Sequence, residues 1–206
     1  MNKQEEHLQN LTEIRSIMER TTSFISLSGL SGVFAGIFAL LGAAAAYIYF
    51  GMSFYSYDYE TFMLLRDGSI DPKFIIFLFL DGGIVFALAV GFAIFFTTRK
   101  AKKKGLPVLS KLTLRLLINL FIPLVAGGVF GLILLYHGQV HYLAPITLIF
   151  YGLGLINSSK YTLRDIKYLG ICQTILGLIN AVFLGYGLLF WTLGFGVLHI
   201  VYGVLM

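Results

Sequence analysis

The stretch YLGICQTILGLINAVFLGYGLLFWTLGFGVLHIVYGVLM, residues 168–206, runs for 39 positions without a charged side chain. As one α-helix it would be about 58 Å long, roughly twice the thickness of a bilayer's hydrocarbon core. It must fold back on itself, and Gly185-Tyr186-Gly187 offers the turn. Two membrane spans are therefore expected, at 168–185 and 188–206.

Moving toward the N-terminus, the same reading repeats. A polar, net basic segment at 158–167 separates the closing hairpin from a short apolar run at 142–157. The turn His137-Gly138-Gln139-Val140-His141 precedes that run, and residues 116–136, with Asn119 and Pro123, come before the turn. Residues 74–96 form another span, broken only by Asp81, and residues 24–50 are free of charge throughout. Each long run supplies the roughly 20 residues a spanning helix needs. The expected fold is all-α, a polytopic membrane protein with six transmembrane helices over 24–206 (24–50, 74–96, 116–136, 142–157, 168–185 and 188–206).

Composition agrees. Hydrophobic residues make up 58% of the 206 positions and charged residues 12%, about half the charged share of a soluble domain, roughly 25%. Such a surface could not keep a globule in water, and a disordered chain would need far lower hydrophobicity. A single cysteine, Cys172, excludes an intramolecular disulfide and any cysteine-based zinc or iron–sulfur site within one chain. No phosphate loop, nucleophile elbow or H-E-x-x-H pattern is present, so no cofactor is expected.

The net charge of +5 finds its explanation in topology. With the N-terminus in the cytoplasm, the inside segments hold thirteen of the fifteen Lys and Arg residues, and Arg66 and Lys73 alone fall outside, on the loop 51–73. That asymmetry is the positive-inside pattern. It places both termini in the cytoplasm of a bacterial inner membrane and leaves nothing basic for nucleic acid to account for.

Residues 1–23 are the most polar part and lack the short apolar core and cleavage site of a secretory signal. Leu8, Leu11, Ile14 and Met18 recur at helical spacing, with Ile17 beside them, which predicts a cytoplasmic amphipathic helix. Its stripe suits the lipid headgroups or, more plainly, the cytoplasmic ends of the spans. A ten-position similarity between 146–155 and 197–206, with Tyr-Gly aligned, is open to descent from a repeated hairpin, although in so apolar a background chance more often produces such a match.

The strings EIRSIMERTTSFISLSGLSGVFAGIFAL (13–40), TTRKAKKKG (97–105), LLINLFIPLVAGGVFGLILLYHG (116–138), LAPITLIFYGLGLINSSKYTLRDIKYLG (143–170) and GYGLLFWTLGFGVLHIVYG (185–203) resemble a family of uncharacterised bacterial six-helix integral membrane proteins over nearly the full length. The resemblance implies the fold and the membrane, and no activity. Some relatives carry a carotene monooxygenase label. This chain argues against it, because its four histidines, His7, His137, His141 and His199, are expected on different sides and depths of the membrane.

Four groups of residues stand out. Ser28, Gly32 and Gly36, and likewise Gly127 and Gly131, recur every four positions and give helix-packing faces on which another backbone approaches closely. Packing inside the bundle is the plainer use, and a homodimer or partner-subunit seam the sharper one. Asp81, the one acidic residue within a span, lies about 10 Å deep and is a functional candidate by default. With His137 and His141 it could form an outer polar cluster for a proton, cation or metal, beside the plainer reading of a hydrated carboxylate. Asn119, Gln173, Asn180 and His199 form a candidate midplane cluster. A bond between Asn180 and His199 is expected if the last span starts near Trp191, the alternative being that His199 turns to Asn119 or Gln173. The run Arg99, Lys100, Lys102, Lys103 and Lys104 fixes topology and suits anionic lipid.

The function expected from all this is a non-enzymatic accessory or small-solute-handling subunit. A substrate-binding membrane subunit of a transporter is the alternative, and an intramembrane lipid-modifying metalloenzyme a weaker one.

Overall fold

The structure, a computed structural model, describes residues 7, 10–14, 29–51, 63–65, 68–103, 105, 108, 110–162 and 164–206. No β-strand forms among them, and the one isolated antiparallel bridge joins Leu64 to Ile70. The helices are α1 (Gly29–Phe50), α2 (Pro72–Lys103), α3 (Lys111–Tyr136), α4 (Leu143–Ser158) and α5 (Arg164–Val182). A C-terminal rod, Leu184–Leu205, follows. In it α6 (Gly187–Trp191) and α7 (His199–Leu205) flank a π turn, Thr192–Leu198.

Local chemistry sets the boundaries. Pro72 opens α2, where its missing N–H costs nothing, and Asp71 Oδ1 caps the next amide, Lys73 N, at 2.8 Å. Lys100, Lys102 and Lys103 fill the last turn of α2, where the helix dipole favours cations. Ser110 caps α3 by accepting from Thr113 N at 3.0 Å. Gly138, at φ +73°, ends it in the left-handed region, with Gln139 N returning to Leu134 O at 2.8 Å.

Among the described residues, five segments are long and apolar enough to cross a membrane: Gly29–Phe50, Pro72–Lys103, Lys111–Tyr136, Val140–Tyr161 and Leu184–Leu205. The expected span 168–185 becomes α5 and is not among them, because Arg164, Asp165 and Lys167 crowd its first turn. Compared with the expected boundaries, α2 and α3 extend further at their basic ends, and the last turn falls at 183–186. Large apolar side chains stand exposed along these segments, among them Ile84 and Phe86 on α2 and Ile122 and Val125 on α3. A water-soluble fold does not leave such surface bare; this is the surface of a membrane protein. Of the expected amphipathic helix, the described residues 10–14 are helical, with Leu11 and Ile14 exposed rather than against the bundle. His7 is helical and exposed as well, and the other residues of 1–23 lie outside the described residues.

α1 packs between α2 and the rod, and α4 between α3 and α5. Glycines make both inner seams. A Cβ on Gly203 would meet Val33 N at 2.6 Å and Gly29 O at 2.7 Å, and one on Gly36 would meet Gly196 O at 2.6 Å. Across α4 and α5, a Cβ on Gly152 would meet Gly170 O at 2.6 Å. Backbone thus touches backbone in both seams, as close packing of small residues between membrane helices requires. The α1–α2 pair is held differently, by ring stacks near its two ends. Tyr49 and Phe77 stack at 4.6 Å, and Phe34 stacks on Phe92 and Phe96 at 5.2 Å each.

Candidate functional site

Where α4, α5 and the rod meet, four polar groups converge inside the bundle. A π turn closes i→i+5 and widens the helix, which takes main-chain groups out of the regular ladder; such turns recur at functional sites. The Gly194 carbonyl, inside this turn, accepts from Gln173 Nε2 at 2.7 Å and contacts His199 Nδ1 at 3.0 Å. A carbonyl only accepts, so Nδ1 carries the ring proton and a neutral imidazole presents Nε2 as an acceptor. Tyr151 supplies the matching donor, its hydroxyl lying 2.8 Å from Nε2. The 3.4 Å approach of Gln173 Nε2 to Nδ1 then sets two donors side by side, both serving Gly194. Tyr151, Phe195 and His199 pack ring on ring, and Trp191 extends the column along the rod.

Gln173 and His199 are buried. The Gln173 amide cannot flip, since that would set its oxygen against the Gly194 oxygen. Its Oε1 is therefore the uncommitted atom of the amide, a buried acceptor without a hydrogen-bond partner among the described residues. Leaving such a group unmade costs about 1–3 kcal/mol.

The rest of the expected midplane cluster disperses. Asn180 Nδ2 donates to Phe183 O at 3.2 Å on its own chain segment, and its Oδ1 is the second unpartnered buried acceptor. The expected Asn180–His199 bond does not form. The rod begins at Leu184 and not near Trp191, so the axial offset between the two residues stays wide, and His199 turns to the Gly194 carbonyl and Tyr151, neither to Asn119 nor into a bond with Gln173. Asn119 binds locally through Nδ2 to Arg115 O at 2.8 Å. Its main chain matters more. Pro123, four residues on, has no N–H to give to Asn119 O, and Asn157 Nδ2 on α4 donates there at 3.0 Å.

The outer cluster does not assemble either. Asp81 lies in the α1–α2 seam, where a Cβ on Gly42 would stand 3.1 Å from its Oδ2. Gly42, not Gly82 or Gly83, makes the room; a Cβ on either of the latter would meet nothing within 4 Å. His137 is exposed beside Tyr136, and His141 packs edge-on to Tyr142. Among the described residues no three His, Cys, Asp or Glu side chains gather as metal ligands.

Gly32 and Gly36 face the rod, and Gly127 abuts Phe150 of α4. Gly131 makes ordinary contact with Leu143 at 3.6 Å. Arg99, Lys100, Lys102 and Lys103 lie at the end of α2. Ser28 and Lys104 lie outside the described residues.

Reading the sequence missed Tyr151 and the Gly194 carbonyl. Tyr151 had one available signal, a tyrosine in mid-span, away from the interfaces where tyrosines concentrate. The π turn had none beyond the glycines of Thr-Leu-Gly-Phe-Gly. No family model, curated protein or solved structure matches the chain.

Proposed function

We propose that this is a six-span bacterial inner-membrane protein with a cytoplasmic amphipathic helix and both termini inside, a non-enzymatic accessory subunit for a membrane partner or a second copy of itself. The observation that carries this reading is the packing of the two glycine seams, in which main chain meets main chain (Gly203 on Gly29 and Val33, Gly152 on Gly170). A body this closely packed suits holding a partner in place more than enclosing a large substrate. The sixth span rests on α5 running back along α4, with Gly170 on Gly152 and Gly177 on Pro145, so that it reaches the same depth as its partner. The thirteen-to-two charge distribution supports the orientation, and the family resemblance belongs to the same proposal. Anionic lipid at the basic end of α2 is part of it too.

A second reading, a small-solute-handling subunit of a transporter, is favoured by the two unpartnered buried acceptors, Gln173 Oε1 and Asn180 Oδ1. A metalloenzyme reading lacks a gathered ligand set among the described residues. Purification from the native membrane in lipid particles, followed by native mass spectrometry, separates the readings. A defined protein partner or a dimer is expected. A stoichiometric organic solute with a lone monomer would replace the first reading by the second.

A further inference from the structure

We infer that Gln173 Oε1 is the acceptor in a buried single-molecule site for a neutral hydrogen-bond donor of one heavy atom, water or ammonia, set against the π turn. The inference goes beyond the accessory reading and holds under either function above.

The chemistry of the open group selects the ligand. Gln173 is fully buried, and its Nε2 is committed to Gly194 O at 2.7 Å, which fixes the amide's orientation and leaves Oε1 unpartnered. The free group is an acceptor, so the ligand must donate; an anion, which needs donors, does not fit. A hard metal ion collects about six to eight oxygens, and one amide oxygen among aliphatic side chains is no such set. No residue of 168–206 is charged, so nothing on α5 beyond its first turn or on the rod balances a charged ligand.

Size follows from the neighbours. Oε1 lies 2.6 Å from where a Cβ on Gly194 would stand, and Leu148 and Leu176 border the same point. Toward the other unpartnered acceptor, Asn180 Oδ1, the way is shut at Gly177, where a Cβ would meet Ile149 Cγ1 at 2.7 Å and Pro145 O at 2.9 Å. The two acceptors are seven residues apart on α5, about 10 Å along the axis. A longer solute cannot bridge them past that seam. Buried water commonly answers otherwise unsatisfied polar atoms of this kind, and ammonia shares its donor chemistry.

Gln4, Gln9, Gln139 and Gln173 are the only glutamines in the chain. A Gln4→Glu/Gln9→Glu/Gln139→Glu variant leaves Gln173 as the one glutamine, and Gln139, the described residue of the three, is exposed. With the glutamine side chain labelled in 15N and 13Cδ, leucine labelled in backbone 15N and the variant in liposomes, two readouts apply. Water-edited solid-state NMR should transfer magnetisation to the Gln173 side-chain amide several-fold faster than to the Leu148 backbone amide. The 13Cδ=O stretch should sit at the position of a hydrogen-bonded amide. A repeat in 15N-ammonium buffer separates the sources, since an ammonia-derived cross-peak identifies ammonia and its absence, with fast transfer, identifies water. Transfer no faster than at Leu148 without an ammonia cross-peak, or a carbonyl stretch at the position of a free amide, overturns the inference.

Discussion

Asn157 on α4 donates to the main-chain oxygen of Asn119 on α3, the carbonyl that Pro123 deprives of its helical donor. One side chain thus repairs a defect in a neighbouring helix and ties the two helices together. Asn157→Leu should lower stability by about 1–2 kcal/mol. In a Pro123→Ala background, where residue 123 regains its N–H, the same change should cost much less. Unfolding in mixed micelles would measure this; equal losses in the two backgrounds would mean that the bond does not compensate for the proline.

Tyr151 and His199 lie 48 positions apart, and their bond closes the α4–rod contact. Tyr151→Phe leaves Nε2 without a donor, and His199→Phe removes both polar atoms of the ring. A double-mutant cycle should return a coupling of about 0.6–1.7 kcal/mol, the range of side-chain bonds between membrane helices. A coupling of zero would show that the two rings merely touch.

Glycine substitutions should divide by location and not by sequence context. Gly203→Ala drives a methyl into Val33 N and Gly29 O, neither of which can swing aside, and should cost about 1–3 kcal/mol. Gly82→Ala, Gly83→Ala and Gly128→Ala meet nothing within 4 Å and should be neutral or stabilising by up to about 1 kcal/mol through helix propensity. Thermal melts of the four proteins in one detergent decide it. A Gly203→Ala protein as stable as the parent would remove the α1–rod seam.

Orientation is open to labelling. In a Cys172→Ala background, a cysteine at Ser69 should react with an impermeant maleimide added to intact spheroplasts. One at Lys103 should react only after lysis. The reverse pattern would invert the topology.

Much of the architecture was legible because the information was one-dimensional. The long apolar runs give the helices, and the polar or glycine-bearing segments between them give the turns. Gly32 and Gly36 showed their packing face by spacing alone. The polar interior was not legible, for identifiable reasons. Depth counting joined Asn180 to His199 only by starting the last helix near Trp191, whereas the rod begins at Leu184. Asp81 stood out as a carboxylate within a span, but the sequence does not say which neighbour faces it, and the neighbour is Gly42. Asn119 was singled out for its side chain, whereas its carbonyl makes the interhelical contact, through a proline four residues away.

The wide turn at Thr192–Leu198 has a consequence for the rotational phase of the rod. A five-residue return holds about one residue more than the α-helical four, so the segment beyond it is turned by about 100° relative to an uninterrupted helix. α6, before the turn, packs on α4, while α7, after it, presents Gly203 to α1 and His199 to Tyr151. The extra residue acts as an index that lets one rod serve two seams facing different directions. Deleting any single residue between Thr192 and Leu198 would give a more regular helix and misalign α7 with both of its partners.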